Sequence, residues 1–465
     1  MMGRRVVAVI GGGVTGLVAA RRLAAAGCAV HLFEASDRLG GQVRTLDVLG
    51  HPVDVGAESL HLAGPAVVGL LDELDLTDRL VTAETSFAWI WDGRRRRRLP
   101  AGVGPAGPTR LMPVVRDRVL SPLGMVRAAL EPVVPARDDW NRPGADVGVG
   151  PFVARRFGRQ VADRLVDPVL GSLHAGDVDQ LSLRAATPML AAKATRHRSL
   201  LLGSARGPRG APSFVSFPGG LATMIDQILA EADVDTHLGS PVRTIEARAE
   251  GYALEGDHAE LGCVDGVVLA LPAAPASRVL RPLVGAAADG LDSLRTASVA
   301  TVVVAVPRAA AESCPALRAT GLLTPSTAGS LLKAATFLGT KWPHLRDDDH
   351  FLLRLSAGRV GDGRIAELDD AALVERLLTE LDRATGLAET PLHTHVERWP
   401  SALPQLEVGH LDRLAAIRAG LAARGGLHLA GAAYDGLGVA TCVRSGHQAA
   451  DELLSYLDIP SEVPS

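Results

Sequence analysis

An α/β fold is predicted by three observations. Val6 to Ile10 is a compact β-branched run that leads into Gly11-Gly12-Gly13-Val14-Thr15-Gly16 and then into the alanine-rich helical stretch Leu17 to Ala26. A second apolar run, Ala29 to Phe33, ends in Glu34, about twenty residues past the glycine turn. Farther along, 297–307 and 350–357 are β-rich while 370–386 has helical periodicity, so strands and helices mix in a second region.

Strand, glycine turn and helix in that order predict a Rossmann-like dinucleotide site. Gly11 permits the tight turn, Gly13 lets the backbone approach a pyrophosphate, and Gly16 lets helix and strand pack closely. The phosphate then sits at the positive end of the helix, with Val14 and Thr15 in its first turn. Glu34 can accept hydrogen bonds from a ribose hydroxyl. A glycine turn serving packing alone is the competing account, and the strand, helix and acid together disfavour it.

Pro218-Gly219-Gly220-Leu221 precedes a helical stretch to about Ala232, followed by a strand from Pro241 to Ala247 and another from Val264 to Leu271. From Pro105 to Pro212 the periodicity is mostly helical. There Leu120, Leu123, Val126 and Leu130 form an apolar stripe beside Arg116, Arg118 and Arg127. The stripe is expected to pack into a core, with an interfacial helix touching a membrane as the alternative. Phe87 to Trp91 alternates, Asp92-Gly93 signals a two-residue hairpin turn, and five arginines, Arg94 to Arg98, form the returning strand. That turn predicts Trp91 opposite Arg94, Trp89 opposite Arg96 and Phe87 opposite Arg98, with Arg95 and Arg97 on the other face.

Composition narrows function by exclusion. A 465-residue chain with 47% hydrophobic and 22% charged residues has the balance of an ordinary globular protein. Its net charge of −4 argues against a surface built for nucleic acid. Four cysteines, Cys28, Cys263, Cys314 and Cys442, have no paired spacing, so no disulfide framework, zinc motif or other metal-ligand cluster is expected, and a reducing cytoplasm fits. No apolar stretch reaches the roughly 18 residues of a membrane-spanning helix. No Ser/His/Asp set and no carboxylate pair at helical spacing appears either.

The segment Glu34-Ala35-Ser36-Asp37-Arg38-Leu39-Gly40-Gly41-Gln42-Val43-Arg44-Thr45 extends the dinucleotide motif with a second glycine pair and two arginines. On these residues the chain resembles the flavin-containing amine oxidase superfamily, which implies FAD, bound noncovalently. The resemblance places Arg38 and the Gly40-Gly41 backbone, with Gln42, by the diphosphate. It runs Gly56-Ala57-Glu58-Ser59 past the flavin ring, and has the backbone at Val242 hold adenine, although Val242 also reads as a plain core valine. Ala430-Gly431-Ala432-Ala433-Tyr434-Asp435-Gly436-Leu437-Gly438-Val439 precedes a helix. By resemblance Leu437, Gly438 and Val439 lie at the pyrimidine edge of the flavin, Gly431 near the ribityl or phosphate, and Trp399 along the ring. The implied architecture is a discontinuous Rossmann-like FAD-binding domain (1–85, 212–290 and 420–465), a mixed β-sheet substrate domain (86–104 and 291–419) and a helical subdomain (105–211).

Arg155-Arg156-Phe157-Gly158, Arg164-Leu165-Val166-Asp167-Pro168-Val169-Leu170-Gly171-Ser172-Leu173-His174-Ala175-Gly176-Asp177, Lys341-Trp342-Pro343-His344-Leu345 and Arg398-Trp399-Pro400-Ser401-Ala402-Leu403-Pro404-Gln405 closely resemble the bacterial porphyrinogen oxidases. That resemblance implies oxidation of coproporphyrinogen III or protoporphyrinogen IX to the porphyrin in haem biosynthesis. O2 would be the acceptor and H2O2 the product. It also implies a cytoplasmic enzyme with an option of peripheral membrane contact and a haem-pathway enzyme as partner. Arg98 and Lys341 are the candidates for the substrate propionates, and the proton acceptor is unassigned. His174 and His344 read as structural histidines. The chain departs from the family pattern at Val439-Ala440-Thr441, and at Ser86 and Phe87, where some relatives carry a propionate-binding arginine. Two alternatives stay open: an amine oxidase or desaturase, in which Lys333 or Lys341 would reach flavin N5 between aromatics, and a non-catalytic flavin or porphyrin carrier.

Overall fold

Val6–Ile10 is buried almost throughout, as its unbroken β-branched run requires, and takes the centre of a five-stranded parallel sheet. The strand order is Asp235–His237, Ala29–Phe33, Val6–Ile10, Gly266–Leu269, Leu427–Leu429. This computed structural model describes residues 4–459 except 63, 85, 86, 105, 106, 135–139, 141, 143, 205–213, 258 and 259. Ser86 and the expected domain limits at 85/86, 105 and 211/212 fall wholly or partly outside the described residues.

The chain divides into two compact units, the first made of 1–80, 214–295 and 411–465, the second of 81–213 and 296–410. In the first, helices Val14–Ala25, Ala222–Glu231 and Val439–Tyr456 bury one face of the parallel sheet in a common core. A second core on the other face holds the antiparallel sheet Thr244–Ala247, Tyr252–Glu255 and Glu260–Val264, with helices Ala273–Leu280 and Gly285–Asp292. The first helix starts at Val14, earlier than expected, because the Leu17 N–H already bonds the Gly13 carbonyl at 3.0 Å. The strand expected from Pro241 begins at Thr244, since proline has no N–H to give a ladder. Val242 precedes it with its side chain in the second core.

In the second unit a seven-stranded mixed sheet runs His393–Pro404, Thr296–Pro307, His350–Ala357, Leu332–Phe337, Gly321–Leu323, Ala88–Trp91, Arg96–Arg98. Alternation along its strands sends Val302, Val304, Leu353 and Leu355 to one face, which packs on helix Asp370–Thr385. A separate helical core in the same unit forms around Val149–Phe157 and the π-helix Ala162–Gly171. No described helix is long and apolar enough to cross a membrane.

Two expectations are corrected here. The apolar stripe does not pack into a core: Leu120 is buried, but Leu123 is 84% exposed, and Val126 and Leu130 also face solvent. Helix Pro122–Ala129 turns its small residues inward instead. Ala128 is fully buried, and a Cβ at Gly124 would lie 2.4 Å from Gln160 Oε1. The arginine hairpin is displaced by two residues, pairing Trp89 with Arg98, Ile90 with Arg97 and Trp91 with Arg96. Asp92 causes the shift, because its Oδ1 accepts the N–H groups of Arg94 (3.0 Å) and Arg95 (2.8 Å) and widens the loop. A shift of two preserves the faces. Arg96 therefore still lies over Trp89 (4.9 Å) and Arg98 over Phe87 (4.4 Å), while Arg97 pairs with Asp92 from the other side.

Candidate functional site

The glycine turn is built of backbone brought against backbone. A Cβ on Gly16 would stand 1.9 Å from the Gly11 carbonyl oxygen, so the helix can pack on the turn only as glycine. Gly13 bridges Gly40 in parallel register, and the Gly40 N–H bonds the Gly12 carbonyl at 2.8 Å. A Cβ on Gly13 would meet only the Cα of Gly41, at 4.0 Å. The result is a backbone cradle free of side chains at its glycines, at the positive end of a twelve-residue helix. Glu34 braces it: Oε2 accepts the Gly12 N–H at 2.7 Å, and Oε1 accepts the Ser36 N–H and hydroxyl, each at 2.8 Å. Oε2, with one donor, keeps a further lone pair that a ribose hydroxyl can use. Arg38 donates to the carbonyls of Leu39 (3.2 Å) and Gly41 (2.8 Å), fixing the loop after Glu34, where Ala35 lies. Gln42 and the 56–59 turn join through the Ala57 N–H, which bonds the Gln42 carbonyl at 2.8 Å.

A second helix N-terminus reaches the same turn. Helix Val439–Tyr456 packs on Val14–Ala25 at Gly446, where a Cβ would lie 2.5 Å from the Thr15 carbonyl oxygen. That contact sets Gly431 beside Thr15, with Thr15 Oγ1 at 3.8 Å from where a Gly431 Cβ would be. The Gly431 N–H donates to Ser445 Oγ at 2.8 Å. Leu437 and Gly438 enter the helix, and no atom lies within 4 Å of a Cβ built on Gly438. Open space at Gly438, two helix N-termini and the acid at Glu34 fit an extended dinucleotide such as FAD. The Cys442 thiol is pushed up by burial, offset in part by a hydrogen bond with the Thr15 side chain.

The second unit holds the remaining sequence candidates. Trp399, on strand His393–Pro404, packs with Ala175, Ala297 and Val299. Lys341 lies with its Nζ 5.0 Å from the Trp342 ring centroid. His174 is buried, its Nδ1 has no partner among the described residues, and burial lowers its pKa to about 4, so it is neutral at physiological pH. Burial also lowers the pKa of His344.

Sequence reasoning missed a buried charge cluster in this unit. Lys333 is 4% exposed and its ammonium is pushed down to about 7, first by burial and then by the guanidiniums of Arg359 and Arg354. Arg359 donates to the Thr324 carbonyl at 2.6 Å, while its Nη1 and Thr324 Oγ1 are buried without partners among the described residues. Asp167, on the π-helix, accepts from the Ser326 N–H (2.6 Å) and hydroxyl (3.0 Å) through Oδ2. Burial raises its pKa, and Arg359 opposes that rise. Only Lys333 and Asp167 carried a signal, Lys333 as one of three lysines in the chain and Asp167 inside a family-like segment.

The first unit thus has the construction of a dinucleotide-binding flavoprotein. The family model described as flavin containing amine oxidoreductase matches residues 14–454. Among curated proteins the chain is 33% identical to the coproporphyrinogen III oxidase of Mycobacterium leprae, over 97% of this chain and 99% of that one. It is 29% identical to the coproporphyrinogen III oxidase of Bacillus subtilis, over 98% and 99%. The crystal structure of a candidate protoporphyrinogen oxidase from Exiguobacterium sp. 255-15 superposes with a TM-score of 0.87 at 28% identity, covering 98% of this chain and all of that one. The chain belongs to the flavin containing amine oxidoreductase family, and it is a flavin-dependent oxidoreductase.

Proposed function

We propose that this protein oxidises coproporphyrinogen III to coproporphyrin III with noncovalently bound FAD, passing electrons to O2. The observation that carries the reading is the match, over nearly the full length of both chains, to proteins named coproporphyrinogen III oxidase. Aromatising a porphyrinogen removes six electrons and six protons, so three O2 become three H2O2. The flavin, when bound, supplies hydride acceptance at N5 and reoxidation by O2. The protein's own residues bind and orient. The Gly11–Gly16 turn and Glu34 hold the diphosphate and ribose, Arg38, Gln42 and the 56–59 turn line the cofactor, and the Val242 backbone takes the adenine. The helix beginning at Val439 favours negative charge at the pyrimidine edge, with Leu437, Gly438 and Gly431 beside it.

Coproporphyrinogen carries two more propionates than protoporphyrinogen and needs more counter-charge. Lys333, Arg354 and Arg359, set against the carboxylates of Asp167 and Asp362 that act on Arg359, offer it, alongside Arg98 and Lys341. A substrate carboxylate brought to Lys333 would raise its pKa and make binding take up a proton above pH 7. A half-buried Cys442 thiol whose pKa is raised stays protonated and is a poor nucleophile, which supports noncovalent FAD. The exposed Leu123, Val126 and Leu130 beside Arg127 support a peripheral membrane contact, checked by sedimentation with anionic vesicles.

The test is side-by-side turnover of the two porphyrinogens, following porphyrin fluorescence and peroxide. Coproporphyrinogen III should be preferred by at least about tenfold in kcat/KM, some 1.4 kcal/mol of discrimination. Equal or inverted preference contradicts the substrate assignment.

A further inference from the structure

Distant in sequence, His31, Asp235 and His237 meet at the edge of the five-stranded sheet. Asp235 and His237 are two apart on the edge strand and share a face. Parallel register sets Asp235 beside His31 and His237 beside Phe33. The three inner atoms form a nearly equilateral triangle. His31 Nδ1 is 3.1 Å from Asp235 Oδ2 and 3.2 Å from His237 Nε2, and His237 Nε2 is 3.3 Å from the same Asp235 oxygen.

Hydrogen bonds alone do not satisfy this triangle. Each imidazole nitrogen has one in-plane lobe, a proton or a lone pair, so it can aim at one partner but not at two. All three lobes can instead converge on a single cation. A tetrahedral ion with ligand bonds of about 2.0–2.1 Å separates neighbouring ligand atoms by roughly 3.3 Å, which is close to all three measured edges. Such an ion would sit ~0.9 Å above the plane of the triangle, with its fourth position toward solvent. The side chains allow this, being 35%, 62% and 33% exposed for His31, Asp235 and His237. The rings are also held in place: His237 stacks on Phe33 at 4.7 Å and on His31 at 5.4 Å.

We propose that His31, Asp235 and His237 form a site for one zinc-class divalent cation, completed by water. Two imidazoles and one carboxylate select zinc, cobalt or nickel over the oxygen-seeking calcium and magnesium. The ion ties the three-residue edge strand to its neighbour, at the point where the His237 carbonyl accepts the Glu34 N–H at 2.9 Å. It therefore clamps the strand end that braces the glycine turn. No redox step is assigned to it, and the site is independent of which porphyrinogen is the substrate.

The test uses the flavin-loaded protein after dialysis against a chelator, titrated with Zn2+ by calorimetry and with Co2+ by visible absorption. One ion per chain should bind saturably, Co2+ should give the intense d–d bands of a four-coordinate site, and Zn2+ should raise the thermal midpoint. Asp235→Asn, at an exposed side chain, should keep the flavin band and lose affinity by about tenfold or more. His31→Gln/His237→Gln together should abolish the Co2+ bands. Absence of saturable binding overturns the proposal. So does one-to-one binding unchanged by these substitutions, which would put the ion elsewhere.

Discussion

Replacing Lys333 with methionine should stabilise the protein, and by an amount that depends on pH in a specified way. Its amine falls from an ordinary value of 10.5 to about 7, chiefly because it is buried and then because Arg359 and Arg354 are near. At 1.36 kcal/mol per pH unit that fall is about 5 kcal/mol, an upper bound for the cost of keeping the amine there. Between pH 7 and 10.5 the unfolded chain binds the proton that the folded chain refuses, so stability rises with pH across that window. Below pH 7 the full penalty applies. Lys333→Met removes it while keeping an unbranched side chain of similar length. The stability gap between variant and wild type should be greatest near pH 6 and close by about 1.4 kcal/mol per pH unit above 7. All five tryptophans, Trp89, Trp91, Trp140, Trp342 and Trp399, lie in the same unit as Lys333, so tryptophan fluorescence in urea follows that unit. A variant less stable than wild type at pH 6, or a gap that does not change with pH, would refute the reasoning.

Other outcomes follow from the same geometry. Gly16→Val sets side-chain carbon on the Gly11 carbonyl, and the purified variant should lack the visible flavin band. Glu34→Gln turns an amide donor toward an N–H of Gly12 or Ser36, so FAD affinity should fall by about 1–3 kcal/mol, measured by flavin fluorescence on dilution. Acid precipitation should release essentially all flavin into the supernatant, from wild type and from Cys442→Ser alike; flavin pelleting with the wild-type chain would show a covalent bond. Arg354→Gln should raise KM for coproporphyrinogen III more than for protoporphyrinogen IX. Arg98→Ala tests the propionate role of the hairpin, and an unchanged KM for both porphyrinogens would exclude it.

The dinucleotide half of the fold was legible because its chemistry is local. Val6–Ile10, the Gly11–Gly16 turn and Ala29–Phe33 with Glu34 lie within one short stretch, where glycine and β-branching dictate backbone. Resemblance supplied the remote pieces, such as Gly431 and Leu437 to Val439. What stayed hidden depended on tertiary packing or a single side chain. The stripe at Leu123, Val126 and Leu130 looked like a core face, yet Gly124 and Ala128 proved to be the inward side of that helix. The hairpin register was lost to two hydrogen bonds that the Arg94 and Arg95 N–H groups donate to Asp92, although parity kept Arg96 and Arg98 over their rings. The Lys333, Arg354, Arg359 and Asp167 cluster and the His31, Asp235 and His237 triangle join residues far apart in the chain, and no spacing rule reaches them.

The most direct test of the catalytic assignment is anaerobic mixing of the flavin-loaded protein with excess coproporphyrinogen III. The account predicts that the visible flavin band bleaches as substrate is oxidised, then returns on admitting O2 together with H2O2. A band that stays oxidised, with porphyrin forming only at the rate of autoxidation, would contradict it.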